Sequence, residues 1–200
     1  MKKTKSNASR SLTHPLLRYV VALMAVVSSI VVNHVSCHRS DAQIATETQI
    51  HTCFAPDGDC MGLIVSNIDA ARVRILVQAY VFTSQEIANA LIRAHQRKVE
   101  VQMLIDKGAV TFRGSKINLL LQAGIPIRID KTVGLAHNKI MIIDDECVLT
   151  GSFNWTDSAQ TRNAENLVMI RGKTHCSVFK ENWYKRASVA EQLPRTCTTA

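Results

Sequence analysis

The residues best suited to chemistry lie in one stretch of the chain, between His137 and Asn154. This stretch places His137, Lys139 and Asp144 in the spacing HxKxxxxD and continues to Gly-Ser-Phe-Asn at residues 151–154. Side chains alternate between the two faces of an extended strand, so we expect His137 and Lys139 to project from the same face. An imidazole beside a fixed cation, followed by a Gly-Ser turn and an Asn donor, suits a tetrahedral phosphate.

Taken one at a time, these residues also have ordinary structural explanations. A histidine on a strand is more often a packed structural residue, an isolated lysine usually faces solvent, and Ser or Asn in a turn usually bonds its own backbone. We interpret His51, His95 and His175 as surface or structural residues of this kind. The joint spacing sets the stretch apart, because the pattern continues to Asn163 and Glu165 in the segment NAEN.

The three segments HNKIMIID, GSFNWT and NAEN resemble the signature of the phospholipase D superfamily. Within that superfamily the chain is similar to the small bacterial Nuc-type endonucleases, which carry a single HxKxxxxD motif per chain. The resemblance extends from Cys53 to the C-terminal helix and includes the segment LVQAYVFTS. It implies a phosphodiesterase with a phospholipase D/nuclease-like fold.

The resemblance also implies a reaction that two copies of the chain share. Members with one motif per chain complete their site with an identical partner, so we expect a homodimer. His137 of one subunit would attack phosphorus and form a phosphohistidine, while His137 of the other would protonate the leaving oxygen and later activate water. No metal ion or other cofactor is expected, because the two Lys139 side chains would supply the positive charge.

The same resemblance assigns roles to the other site residues. Lys139 and Asn154, with Ser152 nearby, would hold the non-bridging phosphate oxygens and stabilise the transition state. Glu165 matches the carboxylate that accepts the proton on the far ring nitrogen of the histidine and so fixes its tautomer. Asp144 matches the motif aspartate, and we assign to it a supporting role without a part in the chemistry.

Strands and helices alternate along the chain after residue 43, which is typical of an α/β layered domain. Runs rich in β-branched and aromatic residues predict strands at residues 74–82, 99–105, 126–129, 137–143, 147–150 and 165–171. Helical spacing, a capping box at residues 83–86 and a stop at Gly124 predict helices that include residues 63–71, 87–98, 115–123 and 174–190. We expect a mixed, largely β-sheet core with helices on both faces, in one nuclease-like domain at residues 43–200.

The two ends of this domain are less regular. Residues 43–51 are polar and predict either a loose tether or an added N-terminal strand. In the last helix we expect Val178, Phe179 and Trp183 to pack against the sheet.

The first 42 residues have the pattern of a targeting segment. A basic stretch without acidic residues extends to Arg18 and precedes an apolar run at residues 19–32, which is shorter than the roughly 20 residues of a membrane-spanning helix. Ser-Asp-Ala at residues 40–42 offers a cleavage site. We expect a signal peptide and an exported protein, periplasmic or secreted. The alternative is an uncleaved anchor in the inner membrane, which would then be the chain's contact with the membrane.

Much of the net charge of +8 belongs to this leader. Without residues 1–42 the chain keeps 18 basic and 15 acidic residues, so binding of a polyanion has to depend on local clusters. Such a cluster is predicted in the loops that carry Lys107, Arg113, Lys116 and Lys131.

Six cysteines fit an oxidising compartment. Cys53 and Cys60 bracket a turn-rich loop that a disulfide could close; zinc binding is the other interpretation, but the spacing matches zinc ligands poorly. Cys147 is expected to be a buried thiol in an apolar strand. Cys176 and Cys197 could pair across the C-terminal segment.

Three functions are open from the sequence. The first is an endonuclease that hydrolyses DNA, or both DNA and RNA, in a site shared by a homodimer. The second is a phospholipase D-type lipid hydrolase, which requires an apolar face near the site. The third is a non-catalytic nucleic-acid-binding module, which the complete set of His137, Lys139, Asn154 and Glu165 disfavours.

Overall fold

A mixed sheet of eight strands organises residues 48–194, the part of the chain that the structure, a computed structural model, describes. Its strands are β1 (Gln49–Ala55), β2 (Arg74–Ala79), β3 (Glu100–Asp106), β4 (Ile127–Asp130), β5 (Lys139–Ile143), β6 (Cys147–Gly151), β7 (Glu165–Arg171) and β8 (Glu191–Gln192). The helices in this part are α1 (Cys60–Ala70), α2 (Gln85–Gln96), α3 (Ile117–Gln122), α4 (Asp157–Thr161) and α5 (Lys173–Ala187).

The spatial order β1-β7-β6-β5-β2-β3-β4-β8 joins a parallel half to an antiparallel half. β2, β3 and β4 run parallel and are linked through α2 and α3, whereas β5, β6, β7 and β1 pair antiparallel. Because β5 pairs antiparallel with β2, the beginnings of β5 and β7 meet the ends of β2, β3 and β6 at one edge of the sheet. Loops at this edge can therefore bring together residues that are distant in sequence.

Apolar layers cover both faces of the sheet. The helices α1, α2, α3 and α4 pack on one face, where Ile64, Leu91 and Leu120 are fully buried. The helix α5 covers the other face, where Trp183 is buried and its Nε1–H donates to the carbonyl of Val77 at 3.1 Å. The predicted fold class, a mixed sheet with helices on both faces, is confirmed.

Strand pairing decides where two predicted strands begin. His137 precedes β5, because pairing with β2 begins at Lys139, opposite Ala79. The strand predicted over residues 137–143 therefore starts later than expected. Residues 49–51, at the end of the polar segment 43–51, belong to β1, which pairs with β7 along its whole length. Of the two interpretations of that segment, the added strand is correct.

Two predicted details of the helices are wrong. The N-cap of α2 is Ser84, whose Oγ accepts from the N–H of Ile87, and not Thr83 as the predicted capping box requires. Val178 is 63% exposed, because it lies on the side of α5 opposite Trp183 and points away from the sheet.

The disulfide between Cys53 and Cys60 is present and joins β1 to the start of α1. Cys147 is a buried free thiol, as predicted, and burial raises its pKa to about 11. Cys176 is also a buried free thiol, and its predicted partner Cys197 lies outside the described residues. The predicted leader, residues 1–42, lies outside them as well. Within residues 48–194, no helix has the length and hydropathy to cross a bilayer.

Candidate active site

Five of the six predicted site residues line one open cavity of about 590 Å³ at the edge of the sheet where β5 and β7 begin and β6 ends. They are His137, Lys139, Ser152, Asn154 and Glu165, and we call the space the His137 cavity. The three strands are neighbours in antiparallel register, so the sheet itself places these side chains together.

Asp144, the sixth predicted residue, lies at the opposite end of β5. Its carboxylate accepts the backbone N–H groups of Arg72, Val73 and Arg74 at 2.9, 2.8 and 3.0 Å. Asp144 and Asp145 have φ angles of 54° and 58°, as a tight turn between two antiparallel strands requires. The motif aspartate thus fastens the segment before β2 to the β5–β6 turn and has no place in the His137 cavity.

The ammonium group of Lys139 contacts three atoms of His137. Nζ lies 2.9 Å from Nδ1 and 3.2 Å from Nε2 of the ring, and it donates to the His137 carbonyl at 2.8 Å. Lys139 is only 6% exposed, and burial lowers the pKa of its ammonium although the charge of Glu165 opposes this shift. Thr150 Oγ1 donates to the Lys139 carbonyl at 3.0 Å and secures the start of β5. A fixed cation therefore lies beside an exposed imidazole.

Tyr80 belongs to the site although it lies outside the motif. Its ring packs against the His137 imidazole with centroids 4.3 Å apart and planes inclined by 49°, and Lys139 Nζ lies 5.0 Å from the Tyr80 centroid. Aromatic rings in contact attract each other beyond simple burial. Tyr80 lies here because it directly follows β2, the strand that pairs with β5, and the spacing of residues in the sequence does not reveal this pairing. The contact restricts rotation of the His137 ring.

Glu165 is held in place by Ser152 and Asn163. Ser152 Oγ donates to one carboxylate oxygen at 2.5 Å, and Asn163 Nδ2 donates to the other at 3.0 Å. Ser152 Oγ in turn accepts the N–H of Asn166 at 3.0 Å. The Ser152 proton is thus engaged with the carboxylate, so Ser152 orients Glu165. Within residues 48–194, Glu165 has no hydrogen bond to His137.

The turn after β6 forms the remaining wall of the cavity. Phe153 and Trp155 are buried in the core, and Asn154 between them lines the cavity. Asn154 Oδ1 has no hydrogen-bond partner among the described residues. Gly151 has a φ of 151°, and a Cβ there would overlap the carbonyl oxygen of Asn166. Glycine at this position therefore lets the turn approach β7 closely.

The assembled groups suit displacement at phosphorus. The imidazole of His137 can attack, the Lys139 ammonium and the Asn154 carboxamide can hold charged oxygens, and the Glu165 carboxylate can accept a proton. No group of three or more His, Cys, Asp and Glu side chains in the described part of the chain is placed to hold a metal ion.

Comparison with known families decides the classification. The family described as "Cardiolipin synthase, PLD-like domain" matches residues 64–186, more than half of the chain. The chain belongs to the phospholipase D superfamily. As a member, it is a phosphodiester hydrolase, and all six predicted site residues fall within the matched part of its phospholipase D-like domain.

Individual phospholipase D relatives resemble the chain over most of its length. A phospholipase D of Rickettsia prowazekii is 38% identical over 170 residues, which cover 82% of this chain and 83% of that protein. A mitochondrial cardiolipin hydrolase of Canis lupus familiaris is 32% identical over 132 residues, which cover 66% of this chain and 52% of that protein.

A solved structure extends this likeness to the fold. The crystal structure of Nuc from Salmonella typhimurium, a phospholipase D family member, matches with a TM-score of 0.70 and 35% identity, covering 74% of this chain and 99% of that chain. The phospholipase D-like domain described above is therefore comparable with Nuc over almost the whole length of Nuc.

Proposed function

We propose that this phospholipase D-like protein is a nuclease that hydrolyses phosphodiester bonds of DNA, or of both DNA and RNA, without a metal ion. The observation that carries the proposal is the His137 cavity, where an exposed imidazole, the buried Lys139 ammonium and the Asn154 carboxamide meet. A phosphodiester is anionic and gains charge density at its oxygens during attack. A fixed cation beside the nucleophile stabilises that charge.

Hydrolysis proceeds through two displacements at phosphorus. An unprotonated ring nitrogen of His137 attacks, a P–N bond forms, one P–O ester bond breaks, and the leaving oxygen takes a proton. Water then attacks the phosphohistidine and the P–N bond breaks. This step forms a phosphomonoester and regenerates the free imidazole. Dividing the reaction in this way is covalent catalysis. Lys139 and Asn154 hold the non-bridging oxygens during both steps.

The second imidazole comes from a second copy of the chain. Besides the attacking ring, the two displacements need a group that first donates a proton and later accepts one. Among the described residues that line the cavity, His137 supplies a single imidazole. A twofold axis beside the cavity supplies the same residue from the partner subunit. Histidine suits both tasks because imidazole generally titrates near neutral pH. Glu165, which has no hydrogen bond to His137 within residues 48–194, is available to the partner's imidazole.

Basic side chains on the loop after β3 favour a polyanionic substrate. The loop after β3 carries three cations that form no ion pair within residues 48–194: Lys107, Arg113 and Lys116. Asp106 Oδ2 accepts the N–H of Ala136 at 2.8 Å, which holds this loop beside the segment that leads to His137. Lys131, the fourth predicted cation, is instead paired with Glu191 at 2.6 Å. Contacts of the three free cations with phosphates would supply sequence-independent affinity.

Plasmid nicking in the presence of EDTA tests the proposal. The wild type is expected to nick supercoiled DNA with the chelator present. His137→Ala is expected to retain less than about one hundredth of that activity, because loss of a nucleophile costs orders of magnitude. His51→Ala, which removes an exposed imidazole from β1, serves as the matched control and should nick like the wild type. Nicking by His137→Ala at the wild-type rate would refute the proposal.

A lipid hydrolase is the second candidate, and two exposed side chains favour it. Phe112 and Leu135 are 51% and 57% exposed, on the two loops that Asp106 joins beside the His137 cavity. Exposed apolar residues beside a site can enter a membrane surface. Phosphatidylcholine and cardiolipin vesicles, incubated with the same samples, distinguish the two functions. Lipid hydrolysis without nicking would establish the second, and DNA binding without either activity would indicate a non-catalytic module.

We also propose that the protein is exported, with residues 1–42 as a signal peptide. The disulfide between Cys53 and Cys60 supports export, because disulfides persist in oxidising compartments. Mass spectrometry of the protein from its native envelope tests this, since cleavage would leave Gln43 as the first residue. A mature protein that begins at Met1 would contradict cleavage.

A further inference from the structure

A second cavity of about 220 Å³ lies next to the His137 cavity, beneath the segment that leads from β4 to β5. Three carboxamide side chains line it, those of Gln78, Asn138 and Asn182, and we call it the amide cavity. Asn138 lines both cavities, and it lies between the two motif residues His137 and Lys139. A molecule bound at the His137 cavity can therefore extend into the amide cavity.

One side chain of the amide cavity is buried with an unused donor. Gln78 is only 4% exposed, and its Oε1 accepts from Asn138 Nδ2 at 3.3 Å. Its Nε2 has no hydrogen-bond partner within residues 48–194. An acceptor on a bound ligand could pair with this donor.

The charges of the amide cavity cancel. Asp130 and Arg186 are its two charged residues, and Arg186 Nε and Nη2 donate to the two Asp130 oxygens at 2.7 Å each. The other walls are apolar and include Leu104 and Val133. A phosphate would meet a carboxylate here and an isolated cation would meet a guanidinium. The lining suits a neutral, flat ligand with both donors and acceptors at its edge.

We propose that the amide cavity binds one nucleobase of the nucleotide whose phosphate occupies the His137 cavity. Carboxamides of Asn and Gln pair with base edges because they offer a donor and an acceptor side by side. The volume lies below the roughly 300–1,000 Å³ of cavities for drug-sized ligands, so it admits a single ring system. The inference rests on the proposed nuclease function and adds base preference to it.

Titration calorimetry of the full-length protein tests this inference without depending on turnover. The ligands are dAMP, dCMP, dGMP, dTMP and 2-deoxyribose 5-phosphate, which carries the same phosphate and sugar without a base. At least one nucleotide is expected to bind about tenfold more tightly than 2-deoxyribose 5-phosphate, because good base contacts discriminate by about this factor or more. Equal affinities for all five ligands would overturn the inference.

Variants of Asn182 locate the effect. Asn182 is exposed on α5, so Asn182→Leu and Asn182→Asp both leave the core unchanged. Each is expected to bring the nucleotide affinity to within about twofold of that for 2-deoxyribose 5-phosphate, because it removes one of the three carboxamides that line the cavity. Asn89→Leu, which changes an exposed asparagine on α2, is the matched control and should keep the wild-type ratio. An unchanged ratio in both Asn182 variants would overturn the inference.

The proposed nuclease function and the base site fail in different ways. Plasmid nicking without base-dependent binding would leave the nuclease standing and remove the base site. Base-dependent binding without nicking would remove the nuclease and leave a nucleotide site. If Asn182→Leu alters hydrolysis of cardiolipin vesicles while the nucleotide affinities stay unchanged, the cavity holds a lipid headgroup and the inference is wrong.

Discussion

The contact between Tyr80 and His137 leads to a prediction at the scale of single residues. The Tyr80 ring restricts the imidazole, and it also lies near Lys139 Nζ. Tyr80→Ala is expected to lower kcat by about 10²-fold, since a small misplacement of a reacting group has effects of this size. Tyr80→Phe keeps the ring and should remain within a few-fold of the wild type. Steady-state kinetics with bis(p-nitrophenyl) phosphate measures kcat and KM for both variants.

The Tyr80→Phe variant separates positioning from chemistry. If Tyr80 only positions His137, both the rate and the shape of the pH profile are restored by phenylalanine. If Tyr80→Phe is as slow as Tyr80→Ala, the hydroxyl takes part in proton transfer and the positioning role is refuted.

The motif residues could be predicted because they are close in sequence as well as in space. The spacing of His137, Lys139 and Asn154 is enough to identify them as site residues. Tyr80 and Gln78 could not be found in this way, because only the pairing of β2 with β5 brings Tyr80 to His137 and Gln78 to Asn138. The hydrogen bond from Ser152 to Glu165 could not be predicted either, since it depends on how the turn after β6 meets β7.

At the scale of elements, a buried ion pair joins β4 to α5. Burial on its own would raise the pKa of the Asp130 carboxyl, but the hydrogen bonds from Arg186 and Thr132 and the Arg186 charge hold it below its usual range. Arg186→Leu leaves the Asp130 charge buried without its partner. We expect the free energy of unfolding to fall by about 3 kcal/mol, the lower end for a broken buried pair because Arg186 is partly exposed. Urea unfolding at pH 7 measures the change.

A pH series provides the control for this ion pair. The pKa of Asp130 is lower in the folded than in the unfolded chain, so its stabilising effect is complete above the unfolded value of about 3.9 and is lost as pH falls through the folded value. The stability difference between the wild type and Asp130→Asn should therefore shrink below about pH 4. A difference that is constant from pH 7 to pH 3 would show that the charge of Asp130 does not contribute. The double variant Asp130→Asn, Arg186→Leu should recover part of the loss.

Element ends were harder to predict than element types, for reasons visible in particular residues. His137 belongs to the extended pattern in the sequence, but pairing with β2 starts only at Lys139. Thr83 and Ser84 are both favourable N-cap residues by type, and the backbone path of the chain selects Ser84. Val178 fits an apolar helical stripe but faces solvent, because Trp183 sets the face of α5 that meets the sheet.

At the scale of the whole molecule, the His137 cavity has one imidazole among its described lining residues, whereas the proposed reaction uses two. If two copies share one centre, a mixed dimer with one wild-type subunit and one His137→Ala subunit lacks either the nucleophile or the acid. We expect its nicking activity to fall below about one hundredth of the wild type, as for loss of a catalytic unit. Co-expression of two differently tagged chains, followed by successive affinity steps, isolates the mixed dimer.

A mixed dimer that pairs wild type with His51→Ala is the control and should be fully active. Half activity in the His137→Ala mixture, or a monomer that nicks DNA on its own, would show that each chain completes its site alone.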